Sequence, residues 1–227
     1  SEFLADKENP NLANKESEIR VLEVKGDQVS HNGGKITFGP DGYLYISIGD
    51  DAMGDENYVH HAQDLNHFYG KILRINVNTL PYSIPSDNPF VGISDAKPEI
   101  WAYGLRKMWR YTFDPKSKQL FGADVGEGQQ EEINIVTKGA NLGWPYMEGE
   151  SVYMEDNSID KSGFKSPINT YSHEDGVCII GGNFYYGKEN PYLQNKLVFG
   201  DFRGSIFSLT KETNGKWTRE LLEIQNK

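Results

Sequence analysis

The chain has 227 residues and 25.7 kDa, enough for one sizeable core, and its 23 basic against 33 acidic side chains give a net −10 and a pI near 5.0. So acidic a chain lacks the basic face that nucleic-acid binding needs; no run approaches the roughly 20 apolar residues that span a bilayer, and 12% aromatic content is too much for a disordered chain. The lone cysteine, Cys178, excludes an intrachain disulfide framework and a cysteine-based zinc site, while 24 glycines and 10 prolines suit a turn-rich β protein.

In chain order, the first strand signal is 18–24. Next come 35–38 and Gly42-Tyr-Leu-Tyr-Ile-Ser-Ile-Gly49, β-rich runs flanking the Asp41-Gly42 turn. The best helix candidate, 57–68, is short and polar, and a 3.6-residue period over a dozen residues appears nowhere. Runs at 72–77 and 99–103 follow, then 109–113, 120–124, 133–137 and 168–172, then 182–186, 197–201, 205–210 and 218–224. Three of these runs end alike: Tyr45-Ile-Ser-Ile-Gly-Asp50, Leu120-Phe-Gly-Ala-Asp124 and Leu197-Val-Phe-Gly-Asp201. Each has one strand before it and two after it, which makes three copies of a four-stranded antiparallel unit.

Four-stranded meanders repeated radially are propeller blades. The expected fold is therefore all-β, a propeller of which this chain holds about three blades and part of another. Residues 1–28 would end one blade; 29–104, 105–173 and 174–227 would each form a blade, in a single domain. The irregular stretches 78–98 and 138–167 exceed what a blade needs and are functional candidates.

Several side chains carry candidate chemistry. His31 lies between Ser30 and Asn32-Gly33-Gly34, just before a strand. A neutral imidazole, with an ordinary pKa of about 6.5, suits it to take a proton. His60, His61, His67 and His173 read as solvated loop residues. Asp124-Val-Gly-Glu-Gly-Gln-Gln-Glu-Glu132 offers the hard oxygen donors that suit calcium, without EF-hand spacing. Asp50-Asp51, Asp55-Glu56 and the Asp156/Asp160 pair read as surface charge. Cys178 reads as a small buried hydrophobe. Tyr43, Tyr45, Trp101, Trp109, Tyr111 and Phe113 read as core between blades. Trp144 and Tyr146, in a long loop, could stack on a flat ligand.

An ordered string of motifs is more specific. His31-Asn-Gly-Gly-Lys-Ile-Thr-Phe-Gly-Pro-Asp-Gly-Tyr-Leu-Tyr-Ile is followed by Ala62-Gln-Asp-Leu-Asn, Gly70-Lys-Ile-Leu-Arg-Ile and Ile84-Pro-Ser-Asp-Asn-Pro-Phe90. Glu99-Ile-Trp-Ala-Tyr-Gly-Leu-Arg106, Asp124-Val-Gly, Glu131-Glu-Ile-Asn and Asn141-Leu-Gly-Trp-Pro complete it. From about residue 1 to 209 the chain resembles the glucose/sorbosone dehydrogenase family. Its quinoprotein members are six-bladed propellers using pyrroloquinoline quinone (PQQ) and calcium; its hedgehog-interacting-protein-like members are binding proteins on the same fold.

The resemblance implies a six-bladed ring extending beyond both ends of this sequence, and a periplasmic or secreted location. It implies oxidation of an aldose C1 hydroxyl to a lactone, with hydride passing to the quinone C5 and on to an electron acceptor it does not identify. His31 would be the general base and contact the cofactor. Arg106 would lie beside the quinone and stabilise its reduced form, and Arg203 would anchor the cofactor, with Trp144 against it. The carbonyls of Gly126 and Glu127 would bind one calcium; Glu132, the Leu142 carbonyl and Glu148 would bind a second, structural one. The family's usual Asn-Pro is Lys107-Met108 here, and Tyr186 stands where a family lysine or arginine commonly faces the cofactor. Two other readings stand beside the oxidoreductase: a non-catalytic module gripping protein or glycan through 78–98 and 138–167, and a calcium-dependent lactonase-type hydrolase. The exposed blade faces would be covered by the remainder of the ring or by a partner chain.

Overall fold

Alternating apolar runs and glycine-rich turns produce three four-stranded antiparallel sheets in the computed structural model, which describes residues 1–26, 30–52 and 60–223. The first sheet joins β1 (Gly33–Phe38), β2 (Leu44–Ile48), β3 (Lys71–Ile75) and β4 (Ile100–Tyr103) in chain order. The second begins with β5 (Met108–Phe113), β6 (Leu120–Asp124) and β7 (Gln130–Val136). A two-stranded hairpin, β8 (Met147–Glu148) and β9 (Ser151–Val152), intervenes before β10 (Asn169–Ser172) closes that sheet on the far side of β7. The third runs β11 (Ile179–Tyr185), β12 (Lys196–Asp201), β13 (Ile206–Lys211) and β14 (Trp217–Leu221). All twelve expected blade strands form within one to three residues of their expected bounds.

The sheets pack face to face as blades. Because successive side chains on a strand point to opposite faces, β6 serves two interfaces at once. Leu120 packs towards the first blade with Tyr45, Ile72, Leu105, Met108, Tyr111 and Val136. Phe121 and Ala123 pack towards the third with Ile133, Ile179, Leu197, Phe199, Phe207 and Leu209. The first strands β1, β5 and β11 lie against one another along the axis. Each is bulged at its opening residues: the register shifts between Gly33 and Ile36, Met108 and Arg110, and Ile179 and Gly181. Such bulges turn the strand entrances, all at the same end of the blades, away from the ladder.

The repeated Gly-Asp has a structural cause at that end. Asp124 accepts from the backbone N–H groups of Arg106 and Lys107, and Asp201 from those of Val177 and Cys178. Each carboxylate therefore ties the end of its blade's second strand to the chain entering the first. The long stretch 78–98 is pinned as well: the buried guanidinium of Arg74 on β3 binds Asp41, Asp87 and Asn88 and stacks on Tyr43 and Trp101. The Gly70 and Ile84 motifs thus meet in one structural hub.

Several expectations change. Residues 18–24 form no strand of a further blade; Glu2–Ile19 is a single bridge, and Leu22 and Val24 pack on Ile48, Leu73 and Ile100 of the first blade. Of the helix candidate 57–68, residues 57–59 lie outside the described residues, and the rest holds only a 3-10 turn, His60–Ala62. Trp109, read as core, is 40% exposed. Cys178 is half-buried. The two outermost blades expose apolar side chains, Ile36 and Phe38 on one and Leu221 on the other. Among the described residues no helix is long and apolar enough to cross a membrane.

Candidate functional site

Asp50 breaks the repeat. Where Asp124 and Asp201 take backbone N–H groups at the entrance of their blades' first strands (Asp201 with the Tyr171 hydroxyl besides), Asp50 takes an imidazole: His31 Nδ1 lies 2.8 Å from its Oδ1. His31 has φ +55, a left-handed backbone uncommon outside glycine and of the kind that persists where surrounding structure enforces it. Gly49 makes the approach possible, because a Cβ there would meet the His31 carbonyl oxygen at 2.1 Å. Asp50 is fully buried while the His31 side chain keeps 14% exposure. The carboxylate therefore holds Nδ1–H, and the lone pair of Nε2 is left as the basic site. The expectation that Asp50-Asp51 is surface charge is overturned: both are fully buried. The signal for Asp50 was present in the Gly-Asp repeat, but spacing alone does not separate the aspartate that meets an imidazole from its two structural counterparts.

Around this pair gather residues from the second blade. The backbone N–H of Asp50 donates to the Arg106 carbonyl at 2.9 Å. Lys107 Nζ donates to the carbonyls of Asn32 and Gly33, at 3.0 and 2.9 Å, immediately after His31. Burial lowers the Lys107 pKa, opposed by the charges of Asp50 and Asp124. The Arg106 guanidinium donates to Glu127 through Nε and Nη2 and to the Val125 carbonyl through Nη1, and it lies 5.6 Å from the centre of the Trp144 ring. Trp144 is only 4% exposed, its indole N–H donating to Asp50 Oδ2 at 2.8 Å. It is packed with Ala52 and Ala62 and lies tilted against Tyr153, ring centres 4.8 Å apart, so little of its ring is open to a ligand. Met108 is core, filling the space above Gly122.

The acidic turn has a defined shape. Glu148 Oε1 accepts from four successive backbone N–H groups, Glu127, Gly128, Gln129 and Gln130, at 2.8–3.1 Å. In planar trans peptides the carbonyl of the preceding residue points the opposite way. The carbonyls of Gly126 and Glu127 therefore face away from Glu148, and their predicted use separates physically from that of Glu148. Glu148 Oε2 is buried without a hydrogen-bond partner. Glu132 sits on the same face of β7 as Asn134, with its carboxyl pushed well up by burial and by the charges of Asp124, Glu148 and Glu131. Leu142 packs in the core between the first two blades. Among the described residues, no group of three or more His, Cys, Asp or Glu is arranged to hold a metal.

The remaining candidates are distributed. Arg203 lies at the same end, one blade further on, donating through Nη1 to the His173 carbonyl at 3.0 Å. His173, expected to be solvated, bonds the buried Glu131 at 2.9 Å. His61, His67 and Tyr69 stack on one another. Tyr186 lies beyond β11 at the opposite end, its hydroxyl donating to Asp114 at 2.5 Å. It is not part of the His31 cluster, so its departure from the family pattern does not bear on this site.

Comparison with known proteins places the chain beside one family, two relatives and a solved structure. Residues 4–223 match the family described as Glucose / Sorbosone dehydrogenase. HIPL1 protein of Arabidopsis thaliana is 35% identical over 218 residues, covering 84% of this chain and 31% of that protein. Aldose sugar dehydrogenase YliI of Escherichia coli is 34% identical over 182 residues, covering 75% of this chain and 45% of that protein. The solved structure of the soluble aldose sugar dehydrogenase from Escherichia coli, in its apo form, superposes with a TM-score of 0.70 at 30% identity, over 85% of this chain and 54% of that one. The chain thus spans a third to a half of the relatives it matches.

Proposed function

This chain belongs to the glucose/sorbosone dehydrogenase family, and from that premise we propose that it carries the proton-abstracting part of a quinoprotein oxidoreductase that oxidises the C1 hydroxyl of an aldose to a lactone. The observation that supports the reading most is the His31–Asp50 pair. His31 Nε2, held as the unprotonated nitrogen by the bond at Nδ1, accepts the hydroxyl proton. Asp50, buried against Nδ1, then faces the imidazolium and stabilises it. Pyrroloquinoline quinone, when bound, supplies the acceptor for the hydride. Arg106, Lys107 and Arg203 give the mouth local positive charge suited to that cofactor's carboxylates on a net −10 chain. Arg106 is already partly neutralised by Glu127, which leaves Lys107 and Arg203 the freer anchors.

Calcium is part of the proposal. The Gly126 and Glu127 carbonyls, turned outward by Glu148, suit one ion; the unpartnered Glu148 Oε2, Glu132 and the Leu142 carbonyl suit another. Burial, reinforced by the Asp50 charge, raises the Asp124 carboxyl to about 7, and Glu131 and Glu132 are raised too. Without a cation, the native state keeps protons that the unfolded chain has released between about pH 4 and 7, so this acidic cluster destabilises the fold as pH rises through that window. Cation binding requires the ionised carboxylates and reverses the trend. The expected result is a calcium-induced rise in melting temperature that is larger at pH 8 than at pH 5 and is not reproduced by magnesium. A melting curve unmoved by excess chelator at both pH values counts against both calcium sites.

A binding module is the second reading, favoured by the 35% identity to HIPL1 protein. The two are separated by reconstituting the full-length protein with quinone and calcium, adding glucose or another aldose, and recording the reduced-quinone absorbance. Its absence across a panel of aldoses excludes the oxidoreductase. We also propose that further blades close a six-bladed ring over Ile36, Phe38 and Leu221. The isolated 227-residue chain is then expected to self-associate on size-exclusion with light scattering, whereas a monodisperse monomer with a sharp melt speaks against an open ring.

A further inference from the structure

We propose that Trp144 is a positioning residue for the His31–Asp50 pair, fixing the imidazole tautomer from a loop that belongs to another blade; the inference rests on the oxidoreductase reading for its functional meaning, while its geometry stands alone. Asp50 has two carboxylate oxygens with separate duties. Oδ1 accepts from His31 Nδ1 at 2.8 Å and from the Ala52 N–H at 3.1 Å. Oδ2 accepts from Trp144 Nε1 at 2.8 Å. With Asp50 fully buried, water does not replace a lost donor, so the indole N–H fixes the rotation of the carboxylate and thereby the oxygen presented to His31.

Trp144 is itself tied down by a chain of contacts between the blades. Gln63 Nε2 donates to the Trp144 carbonyl at 2.7 Å and to Asn141 Oδ1 at 2.9 Å, and Asn141 Nδ2 returns a bond to Gln63 Oε1. The Trp144 N–H donates to the Gly104 carbonyl at 3.0 Å. Lys71, fully buried on β3, donates through Nζ to the carbonyls of His61, Ala62 and Tyr69 and so anchors the loop carrying Gln63. The stretch 138–167, long enough to be a binding loop, thus sends Asn141 back to Gln63 and the Trp144 indole back to Asp50 of the first blade. There the indole completes the acceptor that holds His31.

The test uses Trp144→Phe in the full-length protein labelled with 15N-histidine and measured without cofactor or sugar, so that its result does not depend on turnover. Phenylalanine keeps the ring and removes the donor. Wild type is expected to show His31 as the Nδ1–H tautomer at alkaline pH; the variant is expected to show a mixture, with roughly a third or more Nε2–H. Retention of a single Nδ1–H tautomer overturns the proposal. If the variant fails to fold, Asp50→Asn is read at the Trp144 indole proton. Its signal is expected to move upfield and exchange faster, and an unmoved signal overturns the proposal equally. Where the wild-type protein turns over an aldose, Trp144→Phe is expected to lower kcat about tenfold with KM within about twofold. A wild type without turnover removes the oxidoreductase reading and leaves the tautomer result to judge the positioning role.

Discussion

His31→Ala in the reconstituted full-length protein is expected to lower kcat by about 10²–10⁴-fold while quinone binding stays near wild type. The expectation follows from the geometry of one ring. Nδ1 is committed to a fully buried carboxylate, and only Nε2 remains for a substrate proton. Removing the imidazole removes the base and leaves Arg106, Lys107 and Arg203 where they are, because none of their observed bonds uses the His31 side chain. Asp50→Asn is expected to lose on the order of 10²-fold or more in kcat with the ring still present, since an amide can present its NH₂ to Nδ1 and favour the wrong tautomer. The measurement is steady-state turnover with an artificial electron acceptor, paired with a titration of cofactor binding. Wild-type turnover in His31→Ala would sink the assignment of the base.

The second large effect is on stability, and it comes from Glu148. One oxygen collects four backbone N–H groups from Glu127 to Gln130. Truncation in Glu148→Ala leaves these donors facing a space that water fills poorly. Charge-assisted bonds of this kind are strong, and orphaned donors add their own penalty. A loss of about 3–5 kcal/mol is expected, which for a domain of this size lowers the melting temperature by roughly 10 °C. Glu148→Gln keeps an acceptor oxygen and should lose less than half as much. The turn also carries Glu127, the partner of Arg106, so the alanine variant is expected to loosen the cofactor face along with the fold. Differential scanning calorimetry of both variants decides it: equal melting temperatures for Glu148→Ala and Glu148→Gln would show that the converging N–H groups contribute little.

Much of the fold follows from local sequence alone. Period-two alternation and glycine-bounded turns set the strands, and a strand of alternating apolar residues has few ways to bury both faces except between two others. Hence β6, with Leu120 towards one neighbour and Phe121 and Ala123 towards the other, is legible from its pattern. Where no ladder or periodic face constrains the chain, local reading fails: 18–24 has strand composition but packs as a cover on Ile48, Leu73 and Ile100, and the aromatic Trp109 sits exposed on a first strand. His31 was legible too, because a polar histidine before a glycine pair and a strand has an unusual setting and lies in a recognisable motif.

The partners of His31 were decided only by the tertiary structure. Asp50 repeats a motif whose other copies, Asp124 and Asp201, cap the backbone entering a first strand, and nothing local marks which copy meets an imidazole; the left-handed turn at His31 and the absent Cβ at Gly49 decide it. Trp144 is 94 residues from Asp50 in sequence, and its indole N–H finds the carboxylate only because two blades pack with that loop between them. Glu148, marked as a calcium ligand only by the family resemblance, is by local pattern one acid among 33 acidic residues until four amides converge on it. Strand formation depends on neighbours in sequence and so is written there; a buried carboxylate's partners depend on which donors the packed blades leave unpaired, and that is settled only when the whole core has formed.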